Sequence, residues 1–165
     1  MSRNPFRVGR SRTGLGLFAT EPIKKRAFIA EYKGRRVTNA QADDLEARGS
    51  RYMYELNSRW TVDGSGRNNI ARYANHSCRP NAESDVIRGK RAHGRKGGMV
   101  ILRAIKNIKP GDEITYDYGR DYFNGFIKPV GCKCEKCAEK RREERRAKRR
   151  AARRRKQRLA KRLGS

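Results

Sequence analysis

Four cysteines carry the plainest chemistry in this chain. Three stand in the run Cys132-Lys133-Cys134-Glu135-Lys136-Cys137, and the fourth, Cys78, lies far upstream in Arg72-Tyr73-Ala74-Asn75-His76-Ser77-Cys78-Arg79-Pro80-Asn81. Three thiolates on one tight turn can point inward at a single ion, and structural zinc takes four soft ligands in a tetrahedron. Cys78 is the obvious fourth ligand. His93, in the basic stretch between Gly89 and Gly97, competes for that place, and a set of free thiols is the alternative to any metal. Thiols stay reduced inside cells, where clustered cysteines are more often ligands than disulfides.

The stretch around Cys78 adds an amide, an imidazole and a hydroxyl in Asn75, His76 and Ser77, and it ends near Pro80. It reads as a tight, polar, functional loop rather than a core element. A lone histidine is more often a hydrogen-bonded structural residue than a catalyst. Tyr32, Tyr52, Tyr116 and Tyr118 fall in β-favouring runs, where tyrosines commonly serve as half-buried cross-strand partners. Gly14 and Gly16 allow a tight turn or a close approach of backbone to a partner group. An ordinary hairpin turn would use them equally well, and a dinucleotide fingerprint needs a further glycine and a helix.

The elements that must hold these residues are short. Phe6–Val8 and Thr13–Thr20 read as a hairpin, and Ala27–Tyr32 and Arg35–Thr38 as strands. Thr38 or Asn39 caps a helix running to Arg48, closed by Gly49. Arg51–Leu56 and Trp60–Val62 form a second hairpin, and Asn68–Tyr73 a helical turn. Glu83–Arg88, Met99–Ala104 and Glu113–Tyr118 complete the strands, with Gly89–Gly97 as a basic flexible loop. Many short strands with little helix before residue 138 make a mostly β domain.

Composition divides the chain. Charged residues reach 36% and hydrophobic ones 35%, so the core is modest. Residues 138–165 hold fifteen Lys/Arg against three Glu, a net +12 of the chain's formal +26. That tail has high helix propensity, but its stripe of Ala147, Ala151, Leu159 and Leu163 is too thin to bury. A solvated, fraying helix or a partly disordered tail is expected. The basic balance points to polyanionic partners, nucleic acid among them. No apolar run approaches the roughly 20 residues of a membrane span, and no signal-peptide core precedes Pro22, so an intracellular protein is expected.

Taken together, Asn75-His76-Ser77-Cys78-Arg79-Pro80-Asn81, Gly111-Asp112-Glu113-Ile114-Thr115-Tyr116-Asp117-Tyr118 and the cysteine cluster resemble the SET domain with a post-SET zinc segment. Gly14-Leu15-Gly16-Leu17-Phe18-Ala19, Glu31-Tyr32-Lys33-Gly34 and Tyr52-Met53-Tyr54 follow the same order, over roughly residues 4–137. The resemblance implies small β-sheets with knot-like C-terminal threading. It divides the chain into a SET domain over 4–121, a zinc segment over 122–137 and a basic tail over 138–165. It also implies a protein-lysine N-methyltransferase using S-adenosylmethionine on a histone, histone-like or other basic protein.

Carried over by position, Thr13, Gly14, Leu15, Gly16, Tyr52, Arg72, Asn75 and His76 hold the cofactor. Tyr118 is the active-site tyrosine, and Tyr32, Tyr52 and Tyr116 line the lysine channel. Cys78, Cys132, Cys134 and Cys137 bind Zn2+. Tyr116 occupies the Phe/Tyr switch position, which implies mono- or dimethylation. The cluster departs from the family in its spacing, Cys-x-Cys-x2-Cys in place of Cys-x-Cys-x4-Cys. The interval from Glu31 to Asn75 is short, leaving little room for a substrate-selecting insertion. Cytoplasm or nucleoid is the expected location in a bacterium, and the nucleus or host chromatin in a eukaryotic, viral or effector setting. The competing reading is a non-catalytic, zinc-stabilised module for chromatin or nucleic acid. The enzyme reading requires Asn75 and Tyr118 to meet at one opening.

Overall fold

Alternating apolar residues in Gly14–Ala19 put Leu17 and Ala19 on one face, and this short strand anchors the first sheet. The computed structural model describes residues 5–89 and 97–163. The chain falls into two compact units, one ending at Gly119 and the other beginning at Arg120. The basic loop expected between Gly89 and Gly97 lies almost wholly outside the described residues, and His93 with it.

The first unit holds three small sheets. β1 (Phe6–Ser11) pairs antiparallel with β2 (Gly14–Ala19), closing the expected hairpin through Ser11↔Gly14. β3 (Phe28–Tyr32) and β4 (Arg35–Thr38) follow, and then α1 (Asn39–Ala47). Thr38 caps α1 through its side chain, and Gln41 returns the bond to the cap backbone, a reciprocal capping box. β5 (Met53–Glu55) and β6 (Trp60–Asp63) form the second expected hairpin. A 3-10 turn spans Ile70–Tyr73, and β7 is only Asn75–His76. β8 (Ala82–Ile87), β9 (Met99–Ala104) and β10 (Glu113–Tyr116) complete the set.

The sheet orders are β1-β2-β10-β7, β3-β9-β8 and β4-β6-β5. β10, the last strand, is thus inserted between β2 and β7. It runs antiparallel to β2 and parallel to β7, with Thr115 opposite Asn75 and Tyr116 opposite His76. Leu17, Val62, Val100, Leu102 and Ile114 are fully buried at the centre, so the mostly β reading holds.

One local expectation changes. The central stretch was read as a loop, yet Asn75–His76 is a strand flanked by buried Ala74 and Ser77. Pairing with β10 satisfies its backbone polar groups, which makes burial tolerable. The solvated helix expected beyond Cys137 is present as α3 (Glu135–Leu163), which begins inside the cysteine run. Before it, the second unit has a short helical turn, α2 (Arg120–Tyr122), which passes into a π-helical turn over Phe123–Ile127. No helix among the described residues is long and apolar enough to cross a membrane.

Candidate active site

Pairing of β7 with β10 brings the Asn-His stretch beside the Tyr116–Tyr118 segment, about forty residues away in the chain. The Tyr118 hydroxyl donates to the Ala74 carbonyl at 2.8 Å, and the Tyr118 backbone N–H donates to His76 Nδ1 at 3.3 Å. The Tyr118 ring lies 4.8 Å from that of Tyr116 and edge-on to His76 at 5.6 Å. Tyr118 is thus held against the residues on either side of Asn75 in the chain, Ala74 and His76.

These bonds define the state of His76. An N–H pointing at Nδ1 leaves that nitrogen as the acceptor, so the neutral ring carries its proton on Nε2, 3.4 Å from Cys78 Sγ. Burial pushes the imidazole below its ordinary range, and the Asp117 carboxylate, 3.6 Å from Nδ1, opposes that shift. A ring committed on both nitrogens is a poor general base. It ties β7 to the Tyr118 backbone and reaches the Cys78 sulfur.

Asn75 faces the other way. Its Nδ2 donates to the Leu15 carbonyl (2.9 Å), to Ser11 Oγ (3.1 Å) and to Glu113 Oε1 (2.7 Å). Gly14, Leu15 and Gly16 are thereby held against Asn75, with Thr13 in the turn just before them. Gly14 has φ +117, and a Cβ there would meet nothing within 4 Å, so the turn itself demands glycine and leaves open space above it. Gly16 is glycine for a different reason. A Cβ there would lie 2.5 Å from Glu113 Oε1 and 2.8 Å from Ser11 Cβ. Its close approach is to the protein's own carboxylate.

Arg72, in the 3-10 turn before β7, stacks its guanidinium 3.9 Å over the Tyr52 ring and donates to the Ser65 carbonyl. Its Nε is buried with no hydrogen-bond partner, the one such side-chain atom among the described residues. The Tyr32 hydroxyl donates to the Tyr52 carbonyl at 3.1 Å, and its ring lies 5.8 Å from that of Tyr54. Tyr54, which sequence reasoning left unassigned, donates to Ser84 Oγ at 2.9 Å, and burial raises its pKa. Tyr32 and Tyr116 are both in the main core, with Tyr54, Tyr73 and Tyr118 packed against it. The assigned tyrosines thus fall into two groups, Tyr32 with Tyr52 and Tyr116 with Tyr118.

Two supporting residues carried no functional signal beforehand. Asn69 is fully buried, accepts from the Lys33 N–H and donates to the Gly64 carbonyl, which fixes the loop against the Tyr32 ring. Asn81 brackets β10, donating to the Glu113 carbonyl and accepting from the Thr115 N–H. An asparagine imitating a strand neighbour is visible only once the partner strand is known.

In the second unit the sulfurs of Cys132, Cys134 and Cys137 lie within 4.8 Å of one another. Thiolates on a single tetrahedral zinc sit about 3.8 Å apart, so this donor set fits that ion. Arg141 donates to the Cys132 carbonyl at 2.7 Å and the Ala138 N–H to the Cys134 carbonyl at 2.9 Å, which fastens the cysteine run to the first turns of α3.

Residues 14–119 match the family model of the SET domain. A histone-lysine N-methyltransferase of Neurospora crassa, described as H3 lysine-4 specific, is 32% identical over 145 residues, covering 84% of this chain and 11% of that protein. The Caenorhabditis elegans histone-lysine N-methyltransferase mes-4 is 34% identical over 138 residues, covering 75% and 15%. Among solved structures, a chain of a humanized mutant of the Chaetomium thermophilum Polycomb Repressive Complex 2 superposes with a TM-score of 0.62 at 28% identity, covering 72% of this chain and 15% of its own. The chain spans only a small fraction of the length of the curated relatives it matches. With β10 inserted between β2 and β7, Tyr118 held at Ala74 and His76, and a family match over most of its length, the chain belongs to the SET-domain family.

Proposed function

We propose that the chain is a protein-lysine N-methyltransferase that uses S-adenosylmethionine and acts on a histone or other basic protein. The observation that carries this reading is the meeting of the Asn75-His76 strand with Tyr118 through the Ala74 carbonyl and His76 Nδ1. The names of the relatives and the family match support it.

The residues fit the cofactor on three counts. The Gly14 turn is open, the Arg72 Nε is buried without a partner, and Asn75 commits its Nδ2 to the protein while no described donor reaches its Oδ1. Thr13, Gly14, Leu15, Gly16, Tyr52, Arg72, Asn75 and His76 are the residues proposed to hold it. When bound, S-adenosylmethionine supplies an electrophilic methyl group on sulfur.

The chain's own residues handle the amine. Lysine in water has a pKa of about 10.4 and is mostly protonated at neutral pH. Burial beside Tyr116 and Tyr118 disfavours the ammonium, and the proton leaves through water. The Tyr118 hydroxyl, tethered to the Ala74 carbonyl, then orients the neutral amine. Alignment of two bound reactants contributes up to about 7–11 kcal/mol. No carboxylate base is needed. The Tyr116 hydroxyl crowds the amine or holds a water beside it, so mono- and dimethyl-lysine are the proposed products.

Cys132, Cys134 and Cys137 with Cys78 are proposed as a single zinc site, on the strength of the four-thiol count and the clustering of the first three. The proposed division of labour is a SET domain over 4–121, a zinc segment over 122–137 and a basic tail over 138–165 that holds nucleic acid near the substrate. For a eukaryotic source the location that goes with this reading is the nucleus.

A labelled-methyl assay on basic proteins tests the reading. Tyr118→Phe is expected to lower the rate about 100-fold or more, the scale of a small misplacement at a reacting centre. Equal labelling by wild type and variant would remove the catalytic assignment and leave the binding module.

A further inference from the structure

The polar junction where Asn75 meets the glycine turn contains a residue with no assigned role, Glu113. It opens β10 with its backbone opposite Phe18 of β2, and its carboxylate reaches the underside of the glycine turn. There Oε1 accepts from Asn75 Nδ2 at 2.7 Å, the shortest of that amide's three contacts. The absence of a Cβ at Gly16 leaves the space the carboxylate occupies.

An asparagine amide can present either end to its surroundings, and what faces it decides which. Two of the three partners here, the Leu15 carbonyl and the Glu113 carboxylate, can only accept. Turning the amide over would set Oδ1 against both and leave two acceptors unpaired. The amide is therefore fixed with Nδ2 toward the protein and Oδ1 available to a donor from outside. S-adenosylmethionine carries such a donor in its ammonium group.

We propose that Glu113 is a positioning residue of the cofactor site, which holds the Asn75 amide in the one orientation that offers Oδ1 to the cofactor. The proposal rests on the assignment of Asn75 to cofactor binding. Glu113 acts through Asn75 and through the turn carrying Gly16, and it takes no part in proton transfer.

Calorimetric titration of S-adenosylmethionine into the full chain, with methyl-transfer kinetics alongside, tests it. Glu113→Ala is expected to weaken binding about tenfold or more, as loss of a charge-assisted hydrogen bond does, raising KM far more than it changes kcat. Glu113→Gln keeps an acceptor for Nδ2 and should recover most of the affinity. Asn75→Asp sets two carboxylates face to face and should bind worst. Adding Glu113→Gln to Asn75→Asp supplies an amide donor and should restore at least about threefold, a coupling that general destabilisation does not give.

Binding by Glu113→Ala within twofold of wild type overturns the proposal, as does equal loss in the Ala and Gln variants. Should Glu113→Ala fail to fold, the comparison of Asn75→Asp with its double variant decides, and no recovery there overturns the proposal. A wild-type chain that does not bind S-adenosylmethionine overturns the methyltransferase reading itself, a result distinct from either of these.

Discussion

Leu17 in β2 and Leu159 in α3 are the same residue type in opposite circumstances. Leu17 is 0% exposed and touches the core from which every sheet hangs, whereas Leu159 is 49% exposed. The contrast extends to their surroundings. The described strands of the first unit are two to six residues long and keep their conformation through burial and pairing with distant segments. α3 runs for 29 residues, roughly 43 Å, and every side chain from Lys140 to Lys161 is exposed. Its order comes from backbone propensity and from local pairs such as Arg142 with Glu135 at 2.7 Å. One region is thus held by tertiary contacts and the other by local ones, and the two should respond differently to damage.

The largest expected effect is at the cysteines, where the second unit departs from purely local stabilisation. Cys134→Ser, or treatment with a strong chelator, should drop bound zinc from about one ion per chain to near none and loosen the cysteine run at the start of α3. Elemental analysis and helical circular dichroism read this out, and retention of helix and metal by the variant would refute a zinc anchor. Next comes the core. Leu17→Ala should destabilise the first unit by about 2–5 kcal/mol in denaturant titrations. A cost well under that range would mean the β core is looser than its burial implies.

Removal of residues 138–165 should leave that transition in place. The same deletion should lower affinity for duplex DNA by about tenfold or more and flatten its salt dependence, through fewer displaced counterions. An unchanged salt slope would show that the tail is only a solvated helix. The smallest effect belongs to Leu159→Ala, expected within about 0.5 kcal/mol of wild type. A larger cost would mean that α3 buries a face against something, and the local-versus-tertiary contrast would fail.

Much of the outline could be read before any coordinates. The hairpin of β1 and β2, the Thr38 capping box and the placing of β8 and β9 follow from period-two patterns and cap residues. The strand at Asn75–His76 was missed, because two polar residues next to a Cys and a Pro carry no strand signal and are held extended only by β10. The glycine pair allows either a hairpin turn or a close approach from the sequence; Gly14 serves the turn, and Gly16 the approach, of the Glu113 carboxylate. Glu113 itself looked like one more charged residue opening a strand. Of the two forms expected for the tail, helix or disorder, α3 takes the helix. Charge repulsion weighs against such a helix, yet Ala, Arg, Lys and Glu are among the better helix formers, and no Gly or Pro interrupts the run.

The chain's order of residues alone determined the four-thiol count, the basic end, the short-strand character of the body and the set of motifs that mark the family. All of these depend on composition or on neighbours a few positions apart, where backbone preference and side-chain period act directly. Only the tertiary structure decided that the Tyr118 hydroxyl ends on the Ala74 carbonyl, 44 residues away, and that Asn75 is clamped between Leu15 and Glu113, 60 and 38 residues away. Contacts at such separations exist because a late strand is inserted between two early ones, and that insertion is settled by burial of the whole apolar set at once.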